Sequence, residues 1–122
     1  MHRSMIQVFV KNSGRALLFY LRAFNVKSPH GNIDENGTID HAEIDVYGQT
    51  LAVSECYEDE PAAGNTMQFC LHFGGGNEAT VRRIYDVLSE NAIINDPIGP
   101  VDWSPLMFAL TDQFGVNWCI FV

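Results

Sequence analysis

The sequence predicts an α+β protein in which a βαβββ module occurs twice and the strands complete one mixed sheet. Several short segments alternate between apolar and polar residues, which is typical of strands with one buried face. Two other segments place apolar residues three and four positions apart, which is typical of amphipathic helices. Each helical segment follows the first strand of its half, so the second half repeats the first in element order. The 122 residues are a common length for a single domain.

The first half predicts a strand, a helix and two or three further strands. Ser13 and Gly14 offer a helix start, and apolar residues recur at helical spacing from Ala16 to Phe24. Gly48-Gln49 separates two alternating segments and predicts a tight hairpin turn. The predicted elements are a strand at 5–11, a helix at 13–24, a short strand at 25–28, a loop at 29–37, and strands at 38–47 and 50–56.

The second half repeats this order after an acidic segment that contains Pro and Gly. Val81, Ile84, Tyr85 and Leu88 form the buried stripe of its helix. Trp118 falls on the core face of the last strand, whereas Trp103 falls in a loop where it could line a cleft mouth or an interface. The predicted elements are a boundary at 57–65, a strand at 66–73, a helix at 78–91, a strand beginning at Ile93-Ile94, and strands at 106–112 and 116–122.

Alternation sorts each strand into an apolar face, which takes the helices, and a mixed face, called here the second face. The second face combines Gln, His, Glu, Ser, Cys, Phe and Met, a composition that suits a semi-enclosed cleft for a small molecule. The alternatives are a face covered by a partner subunit or one in open solvent. The predicted lining residues are Gln7, Phe9, His41, Glu43, Gln68, Cys70, His72 and Cys119.

Charge and cysteine content narrow the class of protein. The net charge of −8 disfavours nucleic acid and anionic membranes as partners. Three cysteines without close pairs argue against a disulfide framework and favour a reducing compartment. No apolar run approaches the ~20 residues that span a bilayer, and the N-terminus lacks a signal-peptide pattern. We therefore expect a cytoplasmic protein.

Three motifs, in order, resemble the PhnB-like branch of the vicinal oxygen chelate superfamily, which contains glyoxalases, bleomycin-resistance proteins and extradiol dioxygenases. They are Gly14-x-Ala16-x-x-Phe19-Tyr20, His41-Ala42-Glu43-Ile44-x-x-x-Gly48 and Asp112-x-Phe114-Gly115-Val116-x-Trp118. Gln113 departs from the branch, where proline is usual. The resemblance implies strands that curl around a cleft and a homodimer. It implies one domain over 1–122, with module one at about 5–57 and module two at about 66–122.

The resemblance also implies where a metal would bind in metal-dependent members, through His, Gln or Glu on the first and fourth strands of module one and the first and last strands of module two. Ungapped spacing places Met5 (or Gln7 with a shift), Ala52, Cys70 and Cys119 at those positions. Ala52 cannot coordinate a metal and no carboxylate is present, so we expect neither a divalent metal nor another cofactor. Cys70 and Cys119, with His72 or Gln7, could hold zinc or a softer ion, but packing as small buried thiols is the favoured reading.

The remaining candidate chemistry is a general acid–base pair. His41 and Glu43 lie two apart on one strand and so face the same side, where the simpler alternative is a structural hydrogen bond. The Gly74–Gly76 run lacks the spacing of a phosphate-binding loop. We expect a PhnB-like protein that binds a small molecule without a metal. The alternatives are a lyase or transferase that uses His41 and Glu43 or an unusual metal site, and a structural subunit whose partner fills the cleft.

Overall fold

The computed structural model describes the backbone of residues 1–122 and every side chain except those of Asn32 and Ile33. It divides into two compact units, Met1–Ala62 and Ala63–Val122. Within the described backbone each unit has one helix and a four-stranded mixed sheet in βαβββ order, so the predicted fold class is confirmed. The strands pair within each unit, giving two sheets where the sequence predicted one.

The first unit forms a sheet of order β1-β4-β3-β2, in which β1 runs parallel to β4 and the other pairs are antiparallel. Helix α1 contacts β1, β3 and β4. Ala42, Ile44, Leu51 and Val53 are fully buried and form the apolar face. The elements are β1 (Ile6–Val10), α1 (Ser13–Phe24), β2 (His30–Ile33), β3 (Ile39–Val46) and β4 (Gln49–Glu55).

Ser13 ties the start of α1 to two strands. Its backbone N–H and its hydroxyl both donate to Glu55 Oε1, at 3.1 and 2.9 Å. The same hydroxyl oxygen accepts the backbone N–H of Ile39 at 2.8 Å. Glu55 therefore accepts a backbone donor at the helix N-terminus, and the buried Ser13 hydroxyl links α1 to both β3 and β4.

The second unit repeats the arrangement, with sheet order β5-β8-β7-β6 and β5 parallel to β8. The Tyr85 ring of α2 meets Phe108 of β7 edge-to-face at 5.1 Å between centroids. Trp118 is 1% exposed, stacks on Phe69 and donates its indole N–H to Asp112 at 2.9 Å, which confirms its core position. The elements are β5 (Phe69–His72), α2 (Glu78–Leu88), β6 (Ile93–Val101), β7 (Ser104–Thr111) and β8 (Asn117–Phe121).

The prediction of a short strand at 25–28 and a loop at 29–37 is wrong, because β2 is His30–Ile33. Asn25 adopts a left-handed conformation and Val26 donates its N–H to Leu21, so these residues end α1 instead of starting a strand. Gly31 pairs with Ala42, and a Cβ at Gly31 would overlap the His41 carbonyl oxygen. Pairing with β3 overrides the turn propensity of this segment.

Two strands of the second unit differ in length from the prediction. Strand β5 lacks residues 66–68 and 73 of the predicted strand, and Met67 is 78% exposed. The Asn117 side chain donates to the carbonyls of Gly64 and Met67. This segment is therefore held by side-chain hydrogen bonds and not by the backbone hydrogen bonds of a strand. Strand β6 begins at Ile93 as predicted but continues to Val101 through two prolines, which an irregular edge strand tolerates.

The length and apolarity of the two helices decide whether either could cross a membrane. Across the described residues, neither α1 nor α2 has the length and apolarity that a membrane-crossing helix requires.

Candidate functional site

On the second face of each sheet, residues that pair across neighbouring strands form a row. The two sheets pair their strands in the same order, so each residue of one row has a counterpart in the other. β1 pairs with β4 as β5 pairs with β8, so Gln7 corresponds to Cys70 and Ala52 to Cys119. The remaining members follow from the antiparallel neighbours. The rows are Gln7, Ala52, Glu43 and His30 in the first unit, and Cys70, Cys119, Ala109 and Asp96 in the second. The same framework therefore presents polar groups in one unit and thiols in the other.

His41 and Glu43 are in contact, as their spacing predicts. His41 Nε2 lies 2.9 Å from Glu43 Oε1. Sequence reasoning missed Arg3, whose Nη1 and Nη2 donate to Glu43 Oε2 and Oε1 at 2.6 and 2.9 Å. No sequence signal pointed to Arg3, because it lies before the first predicted strand and 40 residues from its partner.

The Arg3 guanidinium sets the chemistry of Glu43. Its hydrogen bonds, followed by that of His41, lower the pKa of Glu43 to about 2. Glu43 is therefore ionised at neutral pH and is a weak base, since its proton affinity is low. Its carboxylate is suited to accepting a hydrogen bond from His41 and so to orienting the imidazole ring.

Gln7 and Phe9 lie on the second face of β1, opposite Ala52 and Ser54 of β4. Gln7 Nε2 donates to the buried hydroxyl of Ser54 at 2.6 Å. The Phe9 ring is exposed. Gln7 therefore already uses one donor within the sheet, while its amide oxygen is a potential acceptor for a ligand.

Cys70 and Cys119 are register partners on adjacent parallel strands. Cys70 is exposed, and its thiol lies 3.7 Å from Gln68 Oε1, which accepts a weak hydrogen bond. Cys119 is 8% exposed. Burial, reinforced by the Cys70 thiol and by Asp96, raises the pKa of Cys119 to about 11. Cys119 is thus a protonated thiol at neutral pH.

An aromatic group lies beside these thiols on the second face. His72 stacks on Phe121 at 4.6 Å with an interplanar angle of 16°. Trp103 meets the same ring edge-to-face at 4.9 Å and is 59% exposed. Phe121 packs on the buried cluster of Met107, Ala109 and Cys119. We call His72, Trp103 and Phe121 the aromatic group.

The sequence predicted His72 as a lining residue, but neither Phe121 nor Met107 was among the predicted lining residues. Met107 was hard to find because Leu106 to Leu110 is apolar throughout, so β7 shows no alternation. Trp103 was assigned to a loop at a cleft mouth or an interface, and its contact with Phe121 required the tertiary fold.

The sequence matches the family model of the Glyoxalase/Bleomycin resistance protein/Dioxygenase superfamily over residues 3–120. The chain belongs to this superfamily, which confirms the superfamily that the three motifs indicated. The comparison with curated proteins gives no match.

Several solved structures share the fold. The PhnB protein from Bacillus cereus, described as a putative 3-demethylubiquinone-9 3-methyltransferase, is 22% identical over 98% of both chains with a TM-score of 0.78. TioX from Micromonospora sp. ML1 is 22% identical over 97% of both chains with a TM-score of 0.63. A mutant of the fosfomycin resistance protein FosX from Listeria monocytogenes, complexed with Mn(II) and 1S,2S-dihydroxypropylphosphonic acid, is 12% identical over 98% of this chain and 87% of its own, with a TM-score of 0.64.

The residues present do not fit a divalent metal of the kind that FosX holds. Of the positions that the resemblance implies, Ala52 has no donor and Cys119 keeps its proton. Gln7 could offer only its amide oxygen, since its amide nitrogen donates to Ser54. Among the side chains that the structure describes, no three His, Cys, Asp or Glu residues converge. A catalytic divalent ion needs three or four donors, which these positions do not supply.

Proposed function

We propose that the chain binds a small organic molecule on the second face of its second unit, without a divalent metal. The observation that carries the proposal is the aromatic group, in which His72 and Trp103 both contact the Phe121 ring and are themselves exposed. Aromatic side chains offer large contact areas and prefer stacked or edge-to-face partners, so the ligand is expected to carry a planar or apolar portion.

Polar side chains next to the aromatic group could form a few weak hydrogen bonds with a ligand. Cys70, two residues before His72 on β5, is exposed, and Gln68 accepts a weak hydrogen bond from its thiol. A site with a mainly apolar lining and a few polar groups is typical for small molecules. Ligand binding by Gln7 and Phe9 on the second face of the first unit stays a separate prediction.

The family supports a small-molecule ligand in general terms. FosX was solved with a small phosphonic acid and Mn(II). The metal is not carried over, because the donor set of this chain does not fit one. The predicted homodimer and the cytoplasmic location are part of the proposal.

A ligand screen on variants tests the proposal. Compounds that raise the melting temperature in the presence of EDTA are taken forward to calorimetry. Trp103→Ala and His72→Ala are each expected to weaken binding by about tenfold or more, as loss of an aromatic anchor does. Tyr57→Ala is the control, since Tyr57 is an exposed ring in the first unit. Equal affinity for all three variants would contradict the proposal.

A second candidate function is an acid–base enzyme, a lyase or transferase, that uses His41. The observation that favours it is the Arg3–Glu43–His41 chain of contacts, in which a permanently charged carboxylate orients an imidazole. Glu43→Gln would then lower turnover while the affinity for the substrate changes little. Turnover that survives His41→Gln unchanged would exclude this function.

A further inference from the structure

Cys70 and Cys119 are placed so that one bond could join them. The two residues are direct partners in the parallel ladder between β5 and β8. Neighbouring strands lie about 4.8 Å apart. This spacing falls within the range of about 4.4–6.8 Å between the Cα atoms of disulfide-bonded cysteines. The backbone therefore needs little movement to accommodate a bond between the two sulfurs.

We infer that Cys70 and Cys119 form a redox-active dithiol that a small disulfide, such as glutathione disulfide, converts into an intramolecular disulfide. The proposal is independent of ligand binding. Cys70 is exposed and so meets the oxidant first, whereas Cys119 is shielded from solvent but is the register partner of Cys70 on the neighbouring strand. Cys56, the third cysteine, is buried in the first unit at the end of β4 and takes no part.

The exchange proceeds in two steps. The Cys70 thiolate attacks one sulfur of glutathione disulfide, the S–S bond breaks, and one glutathione leaves and takes up a proton. Cys119 then loses its proton to solvent and attacks the Cys70 sulfur of the mixed disulfide. The second glutathione leaves and is protonated in turn. Overall the two protein thiols lose two electrons and two protons, and one glutathione disulfide becomes two thiols.

The bond would have a structural consequence for β5. This four-residue strand lies at the edge of its sheet and is held by its ladder with β8 and by two ring stacks, Phe69 on Trp118 and His72 on Phe121. A covalent link at Cys70 would fasten its centre to β8. Because the link also constrains the unfolded chain between the two cysteines, oxidation is expected to raise the melting temperature.

The test incubates the full chain with glutathione disulfide, blocks the remaining thiols by alkylation, and maps the cysteines by mass spectrometry. Trypsin alone would leave Cys56 and Cys70 on one peptide, residues 28–82, so cleavage by endoproteinase Glu-C after Glu58 is added to separate them. The expected product is a cross-link between the Cys70 and Cys119 peptides, with one alkylated thiol left at Cys56. Dithiothreitol should reverse it.

Three cysteine variants test the role of each thiol in the exchange. Cys119→Ala removes the second thiol without placing a polar group in the interior, and it should trap glutathione on Cys70 as a lasting mixed disulfide. Cys70→Ser should abolish both products, and Cys56→Ser should leave the cross-link unchanged. A wild-type chain that keeps glutathione on Cys70, that stays fully reduced, or that cross-links through Cys56 or between chains would overturn the proposal.

Discussion

Arg3 and Glu43 form a bidentate ion pair that joins the N-terminal segment to β3 across 40 residues of sequence. Planar guanidinium and carboxylate groups match in two parallel hydrogen bonds, which makes such a pair more specific than a single contact. It leaves Glu43 charged and holds it against His41. The pair therefore fixes both the protonation state and the position of one candidate site residue.

This pair predicts an acid-sensitive contribution to stability. The pKa of Glu43 is about 2 in the folded chain, below the unfolded value of about 4.3. The contribution is therefore fully present above the unfolded pKa and is lost as the pH falls toward about 2. Arg3→Ala should lower the melting temperature at pH 6 and have little effect at pH 2. Thermal unfolding across this pH range measures it.

Lys27→Ala is the matched control, because it also removes one positive charge from an exposed position. Its effect on the melting temperature should lack this pH dependence. A Glu43 carboxyl that titrates near pH 4 by NMR would contradict the prediction.

The conformation and surroundings of Gly31 exclude a larger residue at this position of β2. Its φ of 150° is unfavourable for other residues, and a Cβ would overlap the backbone of β3 at His41 and Ala42. Gly31→Ala should therefore lower the free energy of unfolding by about 1–3 kcal/mol. Urea unfolding provides the measurement. Gly64→Ala is the control, since a Cβ at Gly64 meets nothing within 4 Å, and equal stability of the two variants would show that β2 is placed differently.

The Asp112 side chain stabilises the turn between β7 and β8, so we expect its removal to lower the stability of the protein. Its buried carboxylate accepts the backbone N–H groups of Phe114 and Val116 and the indole N–H of Trp118. Asp112→Ala leaves these donors without their acceptor, so the free energy of unfolding should fall by about 2–4 kcal/mol. Chemical denaturation is the measurement and exposed Asp102→Ala the control. A loss below 1 kcal/mol would mean that water replaces the carboxylate.

Sequence alone predicted much of this fold because most strands alternate and both helices carry an apolar stripe. It failed at β2, whose His-Gly-Asn composition indicates a turn and whose strand conformation depends on pairing with β3. The candidate site residues also fall into those that the sequence could predict and those that it could not. His41, Glu43, Cys70 and Cys119 follow from local spacing or register, whereas Arg3 and Trp103 join their partners only through the tertiary fold.

Metal-free binding at the aromatic group is the central claim, and the two tryptophans offer a direct test of it. Trp103 is exposed at the proposed site, while the indole of Trp118 is buried and bonded to Asp112. In a ¹H–¹⁵N NMR titration with a screened ligand in EDTA, the indole N–H signal of Trp103 should shift and that of Trp118 should stay in place. Binding that leaves Trp103 unshifted, or that appears only after a divalent metal is added, would contradict the account.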